Sequence, residues 1–309
     1  MRVLVTGASG WIGSAVVPEL IRHGHSVVGL ARSDASAERV RAAGAEVLRG
    51  DLDTLDVIRE GAASTDATIH LAFVHDFGNM AESLRKDRVA IDAIGQALKG
   101  SGRAFAIASG TLGILPPGQM ATERDRPDLA AAHPRQQSAA AALSYAEKEV
   151  RPIVVRLAPT VHGAGDYGFV PALVNVARER KLAGYVGDGA NRWTAVHRDD
   201  AATLFRLAIE KAPAIEKAPA IEKAPAAATE GLVLHAVAEE AVSARTIAEA
   251  IGRGLGVPTG PAAAEEFGWI GPMFAMDSPA SSTITRELLG WNPSGPTLID
   301  DLESGHYFN

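Results

Sequence analysis

The sequence predicts an α/β protein, a doubly wound parallel Rossmann sheet with a smaller C-terminal substrate domain. Three observations carry this. A short β-branched run, "RVLVT", leads straight into the glycine-rich stretch "TGASGWIGSAVVPEL" at residues 6–20. Apolar strand segments then alternate with helical segments through the first half of the chain. The last third instead mixes short helices with loops carrying Phe267, Trp269, Phe274 and Trp291. Alternation of strand and helix gives a parallel sheet covered on both faces.

In the opening unit, Gly7, Gly10 and Gly13 follow the strand at once, and Ala15, Val16, Leu20 and Ile21 then recur at helical spacing. Strand, tight turn and helix is the context in which a glycine pattern specifies a dinucleotide site. Gly7 permits the sharp turn, Gly10 lets backbone N–H groups approach a pyrophosphate, and Gly13 lets the helix pack on the strand. Ser9, Trp11 and Ile12 complete the cradle, with the helix N-terminus facing the phosphates. The spacing is G-x-x-G-x-x-G rather than G-x-G-x-x-G.

The second strand, "HSVVGLARS", begins at about Ser26 and ends beside the expected adenine ribose. An acidic residue there favours NAD, because it accepts hydrogen bonds from the 2′-hydroxyl. The sequence places Arg32 and Ser33 there instead, with Asp34 one step later. A cation pairs with a 2′-phosphate, so NADP(H) is the expected cofactor. Next come "AEVLRGDLDT", with Asp51 and Leu52 at its end, then "ATIHLAF" and "AFAIASG" as fourth and fifth strands. Helical stretches separate them ("SAERVRAAG", "LDVIREGA", "RVAIDAIGQALKG").

These residues resemble the extended and atypical short-chain dehydrogenase/reductase superfamily, the NAD-dependent epimerase/dehydratase-like group. The resemblance spans nearly the whole chain: "TGASGWIG", "GDLD", "HLAF" (His70–Phe73), Ser109, "VRLAPTVHG" (155–163) and "RWTAVHRDDAA" (192–202). It implies that Leu71, Ala72 and Phe73 lie under the cofactor and that Pro159 lies beside the nicotinamide. It also implies a nucleotide domain of residues 1–160, with 190–228 returning to it, and a substrate domain of 161–189 and 229–309.

Two departures matter. His162 stands where the family has tyrosine, with the proline displaced to Pro159, and the Tyr-x-x-x-Lys pair is missing. In the family that lysine lowers the tyrosine's pKa, and the tyrosine exchanges a proton with the substrate oxygen as hydride moves. By helix register Ala131 and Arg135 fall at the two positions. Tyr145 and Lys148 are three apart, not four, and their helix begins near Pro134. Tyr145 therefore lies about 15 Å along it, toward the wrong edge of the sheet. It is read as structural. Ser109 and Thr111, just past the fifth strand, and Arg135, a fixed cation, are the catalytic candidates. His75, Asp76 and His162 also follow strands; for either histidine a backbone-holding role is as good a reading as catalysis.

The segment Phe267–Met276 reads as a loop-like apolar substrate lining. "EKAPAIEKAPAIEKAPAAA", from Glu210, has a proline every six residues and little to bury, and reads as a surface linker. A net charge of −7 without a basic cluster points away from nucleic acid, and no apolar run is long enough for a bilayer span. Cysteine is absent and no His, Asp and Glu fall at metal-ligand spacing, so no metal is expected. No signal-peptide pattern opens the chain, which makes a cytoplasmic location the expectation. The expected partner is a small-molecule substrate, with a homodimer left open. Reduction of a carbonyl or activated double bond is the leading reading. Cofactor-retaining epimerisation, isomerisation or elimination, and non-catalytic NADP(H) sensing, are the alternatives.

Overall fold

The computed structural model describes residues 1–74, 79–126, 134–215 and 231–309. His75, Asp76 and Ala131 lie outside the described residues, as does most of the repeat. The main sheet has seven parallel strands in the order β10-β6-β5-β4-β1-β2-β3. They are β1 (Arg2–Thr6), β2 (Ser26–Ala31), β3 (Glu46–Arg49), β4 (Ala67–His70), β5 (Ala104–Gly110), β6 (Arg151–Leu157) and β10 (Leu232–Ala236). Between β1 and β4 the order reverses, which opens a ligand crevice beyond their C-terminal ends.

Helices α1 (Gly13–Arg22), α2 (Asp34–Ala42), α3 (Leu55–Ala63), α4 (Met80–Leu98) and α5 (Pro134–Leu143) form the crossovers. Two apolar layers result. Val3, Val5, Val16 and Leu20 pack with Ala201, Leu204 and Phe205 on one face. Leu4, Phe105, Ile107 and Val154 pack with Ile91, Ile94 and Ala142 on the other. The alternation of Val3 and Val5 with Leu4 between two cores is the period of two expected of a strand buried on both faces.

The remaining elements build the smaller unit. β7 (Thr160–His162), β9 (Arg192–His197) and β11 (Glu239–Ser243) form a three-stranded sheet, and β8 (Ala183–Val186) pairs with β12 (Thr259–Ala262). α6 (Phe169–Arg180) and α8 (Ala244–Leu255) enclose a core of Leu173, Trp193, Ile251, Phe267 and Phe274. α7 (Arg198–Ile215) returns to the nucleotide side, where Arg206 pairs with Glu19 of α1 at 2.8 Å.

Two boundaries differ from expectation. β10 lies in the stretch assigned to the substrate domain, yet it is the seventh strand of the main sheet, in register with β6 from Leu232↔Ile153 to Ala236↔Leu157. α7 runs to Ile215, past the first repeat's Pro213, so the first copy continues a helix rather than ending it. The segment Phe267–Met276 is also corrected. Its residues are largely helical (Ala264–Ile270 and Gly271–Phe274), and Phe267 and Phe274 are core side chains. Periodicity over so short a stretch cannot separate buried helix from lining loop.

Candidate functional site

The turn between β1 and α1 is built as its glycines require. Gly7 has φ +67°, and a Cβ there would lie 2.7 Å from Ala72 N. A Cβ on Gly13 would lie 2.1 Å from the Gly7 carbonyl oxygen, so helix and strand meet backbone to backbone. The Gly10 N–H donates to Gly7 O at 2.9 Å, closing the turn. Trp11 ties the turn to the smaller unit: Nε1–H donates to Val161 O at 2.8 Å, and the backbone N–H donates to the Tyr167 hydroxyl at 3.2 Å. The Arg198 guanidinium lies over the Trp11 ring at 4.3 Å. Ser9 and Ile12 are half-buried at the mouth of the turn.

At the end of β2, Arg32 is exposed and has no ion pair among the described residues. Asp34, the acidic alternative, pairs outward with Arg49 at 3.1 Å. Ser33 is the N-cap of α2: its hydroxyl accepts from Ser36 N at 3.2 Å and donates to Ser36 Oγ at 3.2 Å. Its hydroxyl therefore serves the helix first, and Arg32 is the exposed cation just past the C-terminal end of β2. Past β3, Asp51 Oδ1 accepts the N–H groups of Asp53 and Thr54, both at 3.0 Å, and Leu52 is buried.

Beneath the crevice, the Thr6 hydroxyl accepts the N–H groups of Leu71 and Ala72, both at 3.2 Å, and so fixes the loop that follows β4. Phe73, further along this loop, lies under the Arg135 guanidinium at 4.0 Å. Arg135, in the first turn of α5, donates to Ala108 O of β5 at 2.9 Å. Its neighbour Gln136 donates to Gly110 O at 3.0 Å. Pro159 is half-buried between β6 and β7. Cradle, loop and cation thus line one continuous sheet edge, from Arg32 through the glycine turn to Arg135.

The hydroxyl candidates divide. Ser109 is buried, and its Oγ has no hydrogen-bond partner among the described residues. Thr111 does not sit as expected: it is 0% exposed, and its hydroxyl is taken by Leu157 O at 3.3 Å and Thr194 Oγ1 at 3.2 Å. It joins two strands from inside the core. Tyr145 packs against α4. In a short 3₁₀ turn after α5 (Ser144–Lys148), it is 2% exposed and donates to Asp92 O of α4 at 3.1 Å. Its ring fills the space over Gly95, where a Cβ would come within 2.5 Å. His162 is fully buried, with Nδ1 on Asp301 of α9 (Leu298–Glu303) at 2.9 Å, and it ties that helix to β7 rather than facing the crevice.

Polar groups that the sequence reading passed over surround the end of β5. Ser109 is in register with Arg156 of β6, and Arg156 with His235 of β10. Among the described residues, the buried atoms Ser109 Oγ, Gln136 Oε1 and Arg156 Nε have no hydrogen-bond partners. Orphaned polar atoms are costly unless a ligand or water meets them. The available signal was a polar residue inside an apolar strand, as in "VVRLA" and "LVLHA". His235 Nδ1 lies 2.7 Å from Ser281 O and Nε2 lies 3.3 Å from Arg156 Nη1, so Nδ1–H donates and Nε2 accepts from the guanidinium. Burial, then the charge of Arg156, push the His235 pKa down to about 3 from an ordinary 6.5. Between those values the unfolded chain takes up a proton that the folded chain refuses. The stabilisation is therefore complete above pH 6.5 and is lost as pH falls toward 3. The Tm of the wild type should drop across this window by more than that of His235→Gln. Parallel Tm–pH curves for the two proteins would show that His235 contributes nothing to the acid sensitivity.

A seven-stranded doubly wound sheet with a glycine cradle at its switch point defines a dinucleotide-binding α/β protein. The profile of the NAD-dependent epimerase/dehydratase family matches residues 3–222. The chain belongs to that family, within the extended short-chain dehydrogenase/reductase group. It is 42% identical to Uncharacterized protein C2A9.02 of Schizosaccharomyces pombe over 315 residues, covering 100% of each chain. It is 27% identical to the 2-alkyl-3-oxoalkanoate reductase of Stenotrophomonas maltophilia over 219 residues, 68% of this chain and 66% of that one. Among solved structures, MoeE5 in complex with UDP-glucose and NAD superposes with a TM-score of 0.73 at 20% identity, covering 99% of this chain and 97% of that one. Among the described residues no helix is long and apolar enough to cross a membrane, and no cluster of His, Asp and Glu could hold a metal ion.

Proposed function

We propose that this protein is an NADP(H)-dependent oxidoreductase that reduces a carbonyl or activated double bond of a small hydrophobic substrate. The carrying observation is Arg32, an exposed cation at the C-terminal end of β2, where Asp34 is already paired with Arg49. The likeness to a 3-oxoalkanoate reductase supports reduction as the reaction type. The glycine turn fits a dinucleotide, because backbone-to-backbone packing at Gly7 and Gly13 draws the N-terminus of α1 up to the end of β1, where its N–H groups would meet a pyrophosphate.

Gly7 to Gly13 would hold the pyrophosphate, Arg32 the 2′-phosphate, and Leu71 to Phe73 the underside of the nicotinamide end. A bound nicotinamide would supply the hydride, and water the proton, that turn a carbonyl into an alcohol. Ser109 Oγ, buried without a partner, donates a hydrogen bond to the substrate oxygen, and Arg135 stands beside it as a cation that cannot serve as the acid. A Cβ at Gly113 would lie 3.7 Å from Met276 Cε, so the smaller unit brings an apolar side chain to this edge. That suits a hydrophobic substrate.

Calorimetry with NADPH and NADH on the wild type and Arg32→Ala tests the cofactor assignment. A charge-assisted contact contributes about 1.5–3 kcal/mol, so the wild type should prefer NADPH by roughly 10- to 100-fold and the variant should lose that preference. Equal wild-type affinities would remove the assignment. A carbonyl panel followed by NADPH absorbance separates the reaction types, since an epimerase or lyase consumes no cofactor in net turnover.

A further inference from the structure

Trp11 stands between Gly10 and Gly13, and its side chain is tied to the smaller unit by three contacts. Its Nε1–H donates to Val161 O of β7, the Arg198 guanidinium of α7 lies over its indole, and the Tyr167 ring meets it edge-on at 5.9 Å. A fourth contact reaches the backbone of the turn, where the Trp11 N–H donates to the Tyr167 hydroxyl at 3.2 Å. Backbone N–H groups at this point of a glycine turn are the ones that meet a pyrophosphate. The phenol oxygen therefore stands inside the cradle, carried there by a residue 156 positions further along the chain.

The loop that carries Tyr167 joins β7 to α6 and is fixed at both ends. The Gly163 N–H donates to the buried Tyr307 hydroxyl at 3.1 Å, and the Gly168 N–H donates to Asp166 Oδ1 at 2.7 Å. Between these anchors the Tyr167 side chain is 73% exposed, so burial of its ring does not account for its place against the turn. Its hydroxyl can donate as well as accept. Accepting from Trp11 leaves its own hydrogen unspent, since no acceptor for it is found among the described residues. An O–H whose oxygen already accepts a hydrogen bond is polarised toward donating. A group that meets it must carry an acceptor and lie at the mouth of the turn. Phosphate oxygens have both properties.

We propose that Tyr167 is a cofactor-binding residue: its O–H extends the glycine cradle by one donor, lent by the smaller unit, and holds a pyrophosphate oxygen. This rests on the dinucleotide reading of the turn given above. The cofactor's phosphates are then held from two units, by the N–H groups of the turn and by the loop between β7 and α6. Because α6 belongs to the core of the smaller unit, the same contact fixes that unit against the nucleotide side when cofactor is bound.

The test uses the full-length chain and two ligands, NADPH and 2′-AMP, which carries the adenine, the ribose and the 2′-phosphate but no pyrophosphate. Tyr167→Phe keeps the ring and removes only the hydroxyl, whereas Tyr167→Ala removes both. NADPH binding, measured by calorimetry, should weaken about tenfold in each variant, the loss of one charge-assisted hydrogen bond. Binding of 2′-AMP, measured by competition, should be unchanged in both. The side chain is exposed, so Tm should stay near the wild type and a lost affinity is not a lost fold. Wild-type NADPH affinity in Tyr167→Phe would overturn the proposal, and a loss confined to Tyr167→Ala would do so by assigning the contact to the ring. Tighter NADPH binding in Tyr167→Phe would overturn it by showing that the phenol obstructs the turn, and equal weakening of both ligands by showing a disturbance of the whole site. The underlying reading fails in a different way: a wild type that binds neither NADPH nor NADH removes the dinucleotide itself. A wild type that prefers NADH removes only the 2′-phosphate assignment, and Tyr167→Phe should then weaken NADH about tenfold with adenosine binding unchanged.

Discussion

Valine at Gly13 should abolish both the cooperative fold of the nucleotide domain and cofactor binding, whereas valine at Gly10 should abolish binding alone. At Gly13 even a Cβ would lie 2.1 Å from Gly7 O and 2.8 Å from Ala8 Cα. Those are backbone atoms of the turn itself, and they cannot yield without moving α1 off β1. The cost belongs with overpacking against backbone, in the tail above about 4 kcal/mol. At Gly10 the nearest atom to a Cβ is Gly7 O at 3.2 Å, a gap that a few tenths of an ångström of adjustment relieves. The branched side chain then occupies the space ahead of the helix, where N–H groups meet a pyrophosphate. Circular-dichroism melting reports the first effect and NADPH calorimetry the second. A Gly13→Val protein that melts near the wild type and binds NADPH would mean that the turn carries neither load. A Gly10→Val protein binding at wild-type affinity would place the phosphates elsewhere.

The first half of the fold was legible because its signals are local. "RVLVT" before three glycines has one reading, and the β-branched runs after it supply parallel strands between helical periods. What escaped was set by distant parts of the chain. "GLVLHAV" reads equally well as a strand of either unit, and only its pairing with β6 assigns it to the main sheet. Phe267 and Phe274 look like lining or core according to what covers them, and what covers them is α6 and α8. In the site, the backbone cradle was legible because glycine has few other reasons to recur at that spacing. The side-chain chemistry was not. Ser109 and Thr111 are two residues apart on the chain, yet one has a free hydroxyl and the other is spent on Thr194 of β9, 83 residues away. Arg156, His235 and His70 gave only one clue, a polar residue inside an apolar run, and the same clue marks a group that is merely well satisfied.

Ser109→Ala should lower turnover by about a hundredfold or more, while Tyr145→Phe should leave it within a fewfold of the wild type. The two hydroxyls differ in what surrounds them. The Tyr145 O–H is committed to Asp92 O at 3.1 Å, and its ring seals the contact between α4 and the turn after α5. Burial raises its pKa, and the nearby Asp92 raises it further, so it is poorly suited to forming a phenolate near neutral pH. The loss in Tyr145→Phe is the hydroxyl's bonds to Asp92 O and from Gln96 Nε2, a cost of about 1–3 kcal/mol in stability. Among the described residues Ser109 Oγ has no partner to lose, and Ser109 stands in register with Arg156 at the C-terminal end of β5, next to Ala108, whose carbonyl accepts from Arg135. Alanine there removes a donor whose stabilisation is greatest when charge develops on the substrate oxygen. The loss should therefore fall on kcat more than on KM. Thr111→Val is the internal control: its hydroxyl bridges Leu157 and Thr194, so the substitution should lower Tm and leave kcat nearly unchanged once the protein is folded. Steady-state kinetics on a carbonyl substrate found in the panel, with circular dichroism on each variant, decides the matter. A hundredfold loss confined to Tyr145→Phe, with Ser109→Ala near the wild type, would move the proton donor to the far end of α5 and restore the ordinary family mechanism in a shifted register.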